Sequence, residues 1–399
     1  MTVERRATFN VMAAASPSAA LSKAMPYVAG GATIAPMAGQ PRKVAIVLFN
    51  LGGPDRPESI KPFLLNLFLD PAILRVPFFL RPFLARYIAR ARVKRATENY
   101  TILGGKSPLL GLTQEQAAAL EAALPEMEAK CFIAMRYWHP FSLEAARAVK
   151  AWRPDEVVLL PLYPQYSTTT TGSSVTAWRE AAIQAGLVVK TTMLCCYPTD
   201  PAYVRATAAR VGAEYEKARA ALDPAVPLRV LFSAHGLPET IIKGGDPYQW
   251  QVEQTVAAVV AAWGAEIDWG ICYQSRATPQ KWIDPSTEAE IERAAHDKTA
   301  VLVVPIAFVS EHTETLVELD VEYHDLAKDL GLPGYFRVPT QNADAGFIAA
   351  LGDLVRRSLE GGPGLCSHSG GRICPEPYGD CPFRATRFDE KDAKTEVLR

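Results

Sequence analysis

Short, nearly continuous apolar runs alternate along this chain with longer stretches of helical periodicity. Residues 43–50 (KVAIVLFN), 131–137 (CFIAMRY), 156–163 (EVVLLPLY) and 188–197 (VVKTTMLCCY) read as strands. After a helical stretch near 201–221 come 228–234 (LRVLFSA), 268–274, 299–309 and 335–339. Strands that stay apolar throughout are buried on both faces, as in parallel sheets covered by helices. The pattern therefore predicts a doubly wound α/β fold. A faint internal echo supports two similar halves: VLFNLGGP (47–54) resembles VLFSAHGLP (230–238), and VVLLPLYPQYSTTT (157–170) resembles VLVVPIAFVSEHTET (301–315). The expected domains are 44–200 and 228–342, joined near 222–227 (LDPAVP). A final helix over 343–360 stops at Gly361-Gly362-Pro363, and a cysteine-bearing tail follows over 363–383. Residues 1–43 have no continuous apolar segment and read as a flexible N-terminal extension.

One stretch breaks the ordinary pattern of polar positions. In FVSEHTETLVELDVEYHDL (308–326), Glu311, Glu314, Glu318 and Glu322 recur every three or four residues, and no Lys or Arg follows until Lys328. On a helix this spacing puts the carboxylates on one face. Like charges so placed oppose helix formation by about 0.2–0.5 kcal/mol per pair. A solvated face is the ordinary explanation, but a second feature competes with it. His235, in SAHGLP (233–238), closes the predicted strand 228–234, while the acidic stripe follows 299–309. Ligands of doubly wound sheets bind beyond the carboxyl ends of the strands, so both would open into one cleft. An acidic row facing a histidine makes a route for a hard metal, for protons, or for both.

Composition narrows the classes. A net charge of −1 gives no global field for nucleic acid. No apolar run reaches the roughly 18 residues needed to cross a bilayer. The glycine turns LGGPD (51–55) and ILGGKSPL (102–109) fit neither the dinucleotide nor the P-loop pattern. Residues 63–95 mix Phe and Leu with Arg and Lys around one acid, Asp70, and read as an irregular apolar lip with an interfacial anchor. Of seven cysteines, Cys366, Cys374 and Cys381 fall in the tail at spacings unlike a zinc ribbon. A [2Fe–2S] cluster needs four ligands, so the body would have to supply the fourth.

Taken together, the blocks VLFNLGGPD, FLLNLFLD, GGKSPL, MRYWHP, LPLYPQYS, LFSAHGLP, YQSRATPQKW and PIAFVSEHTETLVELDVEY resemble the ferrochelatases over about residues 44–360. The resemblance implies two Rossmann-like domains facing across a cleft. It also implies a lyase that inserts Fe²⁺ into protoporphyrin IX, giving protohaem and two protons. His235 and Glu314 would then be the catalytic and iron-binding pair, with Glu311, His312, Glu318 and Glu322 as the proton or metal path. Porphyrin contacts would fall on Asn50, Leu51, Arg92, Tyr100, Ser107, Arg136, Tyr137 and Trp282. Lys106 stands where the family more often has glycine. Many members carry a [2Fe–2S] cluster on tail cysteines plus an internal one. Here the usual internal position, in YPQYSTTTTGSS, holds Thr, which leaves Cys196 or Cys195 to join Cys366, Cys374 and Cys381. The lip suits a membrane surface and favours protoporphyrin over coproporphyrin. That places the chain in the cytoplasm against the inner membrane, or in an organelle if residues 1–43 are a presequence. A homodimer and contact with the preceding porphyrin-oxidising enzyme stay open. The rival readings are a coproporphyrin or cobalt chelatase, and a non-catalytic haem or metal carrier on the same fold.

Overall fold

A computed structural model describes residues 41–276 and 280–383. Its strands are β1 (Lys43–Asn50), β2 (Glu128–Met135), β3 (Glu156–Pro161), β4 (Lys190–Leu194), β5 (Leu228–His235), β6 (Asp268–Gln274), β7 (Ala300–Pro305), β8 (Tyr335–Arg337) and β9 (Gly364–Cys366). They form two sheets, β2-β1-β3-β4-β9 and β6-β5-β7-β8, in which every pairing is parallel. The fold is therefore the α/β class that the apolar runs predict.

Alternation along β1 shows why those runs are apolar throughout. Val44, Ile46 and Leu48 enter one core, while Ala45, Val47 and Phe49 enter another on the opposite face. The first core continues through Val230, Phe232, Leu302 and Val304 of the second sheet, so one body of packed side chains ties the sheets together. Each large side chain buried this way contributes about 1.5–3 kcal/mol.

Several expected elements differ in extent. β4 ends at Leu194, which leaves Cys195 and Cys196 beyond it, and β7 ends at Pro305. The tail adds β9 to the first sheet, a pairing that no local pattern announces. The C-terminal helix Ala345–Glu360 packs on helices Leu109–Ala122 and Pro201–Ala221 and on β3 and β4 of the first sheet. The lip is more regular than expected, with helices Ile60–Leu69 and Arg81–Ile102 joined by a turn. The acidic stripe is not an ordinary helix: Glu314–Glu322 is a π-helix, and Glu311 precedes it. The expected N-terminal extension lies, up to residue 40, outside the described residues.

Candidate active site

β5 carries the histidine to the carboxyl end of the second sheet, with His235 opposite Gln274 of β6. The next residue must be glycine, because a Cβ on Gly236 would sit 2.8 Å from the Gln274 carbonyl oxygen. Beyond β7 the chain turns through Ser310 and His312, whose amide donates to Thr315 Oγ1 at 2.9 Å, and enters the π-helix. A π-helix has a wider turn than an α-helix. Glu314, Glu318 and Glu322, four apart, therefore follow one another closely along it.

Glu314 is the meeting point. Its Oε2 lies 3.0 Å from His235 Nδ1 and 3.6 Å from His312 Nε2. Burial works against a charged imidazole, but the Glu314 charge and hydrogen bond outweigh it, and the His235 pKa is raised above its ordinary value. Glu314 is likewise desolvated, yet the two histidines hold its carboxyl well below the usual range. Glu318 goes the other way, raised by desolvation and by the Glu314 charge. Its Oε2 accepts from Gln274 Nε2 at 3.0 Å and from the Ser275 hydroxyl.

The outer members of the predicted row have separate partners. Glu322 pairs with Arg95 at 3.2 Å. Glu311 turns away: its Oε1 accepts from Arg337 Nη1 at 2.9 Å and from the Thr340 amide at 2.8 Å. The expected face of four carboxylates is thus corrected to three. The reason is that the helix starts only at Glu314, so Glu311 takes its direction from the preceding loop.

The first sheet brings the remaining candidates to its own carboxyl end. Asn50 is buried, its Oδ1 accepting from the Leu51 amide at 2.8 Å and its Nδ2 donating to Thr113 at 3.1 Å. Gly53 packs on Ser107, where a Cβ would come within 2.5 Å of the serine Cβ. Tyr100 reaches Thr313 and feels the Glu314 charge, so the helix Arg81–Ile102 reaches the second sheet's site; burial lifts the phenol to about 12. Arg92 stacks over Phe68 at 5.5 Å, and Trp282 is buried beside Pro238. Arg136 and Tyr137 are anchored instead of free: Arg136 pairs with Asp70 at 2.8 Å, and the Tyr137 hydroxyl donates to Asp70 at 2.8 Å. Asp70 and Ser173 were not singled out from the sequence, although Asp70 is the lone acid of the lip. Gln274 and Ser275 also escaped notice, since nothing local marks a residue whose partner lies on another element.

The tail cysteines gather beside the end of β4. Cys195 and Cys196 sulfurs are 3.2 Å apart, and Gln251 Nε2 donates to Cys196 at 3.6 Å and to Cys374 at 3.1 Å. Cys374 and Cys381 lie close enough to interact, and the neighbouring Cys374 draws the Cys381 thiol down despite burial. Cys366 stands apart, its thiol donating to Ser358 at 3.5 Å on the C-terminal helix. Among the described residues, no three His, Cys, Asp or Glu side chains converge closely enough to hold a single metal ion.

Comparison with known proteins extends these observations. The family profile described as ferrochelatase matches residues 43–359. A ferrochelatase of Caulobacter vibrioides is 52% identical over 347 residues, covering 86% of this chain and 98% of that protein. One from Phenylobacterium zucineum is 50% identical over 346 residues, with coverage of 86% and 98%. Among solved structures, SirB from Bacillus subtilis with Fe³⁺ aligns with a TM-score of 0.45 at 14% identity, covering 79% of this chain and 95% of that one.

Proposed function

The chain belongs to the ferrochelatase family, and from that premise we propose that it inserts Fe²⁺ into protoporphyrin IX at His235 and Glu314, giving protohaem and two protons. The observation that carries the reading of the site is the 3.0 Å contact between His235 Nδ1 and Glu314 Oε2. With Nδ1–H held by a carboxylate, the imidazole keeps its lone pair on Nε2. That nitrogen is the base for a pyrrole N–H or the ligand that meets ferrous iron. Glu314 supplies negative charge for the incoming cation and holds the ring in one tautomer. His312, Glu318 and Glu322 continue the polar route; Glu311, bound to Arg337, supports the loop from behind. Porphyrin would lie between the two carboxyl ends, against Leu51, Tyr100, Ser107 and Trp282, with Arg92 suited to a propionate. Asn50, Arg136 and Tyr137 act beneath that surface, since their polar groups are already engaged.

The lip supports contact with a membrane surface at the cytoplasmic face. Phe78 (80% exposed), Phe83 (73%) and Tyr87 (71%) stand out beside Arg86 and Arg90. A patch of this kind suits an apolar porphyrin drawn from lipid. No helix among the described residues is long and apolar enough to cross a membrane.

The buried thiols suit a sulfide-bridged two-iron cluster, whose ligands spread over two metals, better than one ion. Cys374 and Cys381 from the tail with Cys196, or Cys195, from the body would hold it, and Cys366 would complete the set by turning from Ser358. Such a cluster would supply a one-electron redox centre outside the insertion chemistry. Separate Cys→Ser variants at 195, 196 and 366, read by the visible absorption of purified protein, identify which thiols bind.

The activity is tested by anaerobic loss of protoporphyrin fluorescence with Fe²⁺, comparing wild type with His235→Ala. Catalytic loss in wild type alone supports the reading. Equal loss in both removes His235 as the base. Stoichiometric binding without turnover in either favours a carrier, and preference for cobalt or coproporphyrin would reassign the substrate.

A further inference from the structure

Each insertion must dispose of two protons, and the acidic row divides before it reaches the surface. Its outer member, Glu322, is taken up by Arg95 and Asn99. Glu318 has a different neighbour. The hydroxyl of buried Tyr323 lies 3.1 Å from Glu318 Oε1 and 2.9 Å from Glu288 Oε1. A phenol has one proton to donate, so both contacts become hydrogen bonds at once only when one carboxyl carries a further proton. Glu288 Oε2 is itself buried and has no partner among the described residues. Glu288 also sits in the first turn of the helix Thr287–His296.

We propose that protons leave the site through Glu318, Tyr323 and Glu288, a branch that a metal cation cannot follow. The branch rests on the reading of His235 and Glu314 given above. Gln274 Nε2 ties the head of the branch to Glu314, donating to the Glu314 carbonyl at 3.1 Å and to Glu318 Oε2 at 3.0 Å. A proton passed outward from Glu314 protonates Glu318. The Glu318 carboxyl then gives it to the phenol oxygen as the phenol O–H proton moves to Glu288 Oε1. One O–H bond forms at the phenol as one breaks, and nothing is oxidised or reduced. Half-buried Glu288 then releases the proton to solvent, and rotation of the phenol hydroxyl resets the relay, so two passes clear the two pyrrole protons. The elevated pKa of Glu318, caused by desolvation and the Glu314 charge, suits a carboxyl that carries a proton in transit. Iron would use the remainder of the acidic surface, and the two traffics would not compete.

The test uses the full chain carrying Tyr323→Phe or Glu288→Gln, with Tyr335→Phe as a control. Tyr335 is a neighbouring half-buried tyrosine whose hydroxyl donates to the Leu319 carbonyl at 2.7 Å. The expected result is a fall in kcat of about tenfold or more in both relay variants, a threshold set below the roughly 10²–10⁴-fold that a positioned general base contributes. KM for Fe²⁺ and porphyrin binding should hold, and the solvent deuterium isotope effect on kcat should rise. The control should lose melting temperature without losing kcat. If Tyr323→Phe does not fold, Glu288→Gln decides alone. A kcat within twofold of wild type in the folded relay variants overturns the outlet. When His235→Ala is inactive in the same assay, that failure leaves the site reading intact; when His235→Ala matches wild type, the site reading itself has failed.

Discussion

β1 and β5 are near repeats that end differently. VLFNLGGP and VLFSAHGLP both run out of a central strand into a glycine-containing turn. At the end of the first, Asn50 is buried and both ends of its amide are hydrogen-bonded. At the end of the second, His235 keeps a 34% exposed side chain and one nitrogen beyond its bond to Glu314. The backbone is reused; the proton chemistry exists on one side only. The first sheet's end is a wall, locked by Asp70, Arg136, Tyr137 and Thr113. The second sheet's end is where charge can move. The lesson is that position at a strand's carboxyl end offers a site, and the partners of the terminal side chain decide whether it reacts.

Breaking the reactive side should have the largest effect. His235→Ala should lower kcat by about 10²–10⁴-fold, the usual worth of a positioned base, measured by porphyrin fluorescence. Asn50→Ala should cost far less activity in the same assay; comparable losses would erase the contrast between wall and base. Breaking the wall should appear first in stability. Asp70→Asn removes the buried carboxylate that serves Arg136, Tyr137 and Ser173. The expected loss is about 3 kcal/mol, in the range for breaking one partner of a buried pair, read from denaturant midpoints.

A pH profile sharpens the comparison further. Glu314 raises the His235 pKa against the opposing effect of burial. A raised base loses its proton only at higher pH, so the acid limb of kcat/KM should lie above the ordinary histidine value. Glu314→Gln removes the charge that raises it, and the limb should move to lower pH as the rate falls. The same sign governs stability: the ion pair contributes fully below the unfolded histidine pKa and is lost as pH rises through the folded value. The smallest effect belongs to Thr113→Val, which takes one hydrogen bond from Asn50. It should lower stability by about 1 kcal/mol and leave the pH profile unmoved.

Much of this was legible along the chain. Continuous apolar runs identified eight strands because both faces of each sheet are covered, and the same runs placed His235 and the acidic stripe at strand ends. The family resemblance then attached roles to them. What stayed hidden was of two kinds. The π-helix was invisible because its residues are compatible with ordinary helical spacing, and so Glu311 was counted in a row it does not join. Glu288 lies 35 residues from Tyr323, Tyr137 lies 67 from Asp70 and Cys374 lies 123 from Gln251, and pairing at such distances leaves no local mark. Strand β9 is only three residues long and exists through its bond to β4.

That short strand has a consequence of its own. Without it, β4 would be the edge of the first sheet, with a row of unsatisfied amides and carbonyls facing solvent, which is a template for pairing with another chain. The Cys195 amide donating to the Cys366 carbonyl at 2.8 Å closes that row. The tail therefore works as an edge guard whatever its thiols bind. Protein cut after Gly361 should self-associate, visible by light scattering, before its cysteine chemistry can matter.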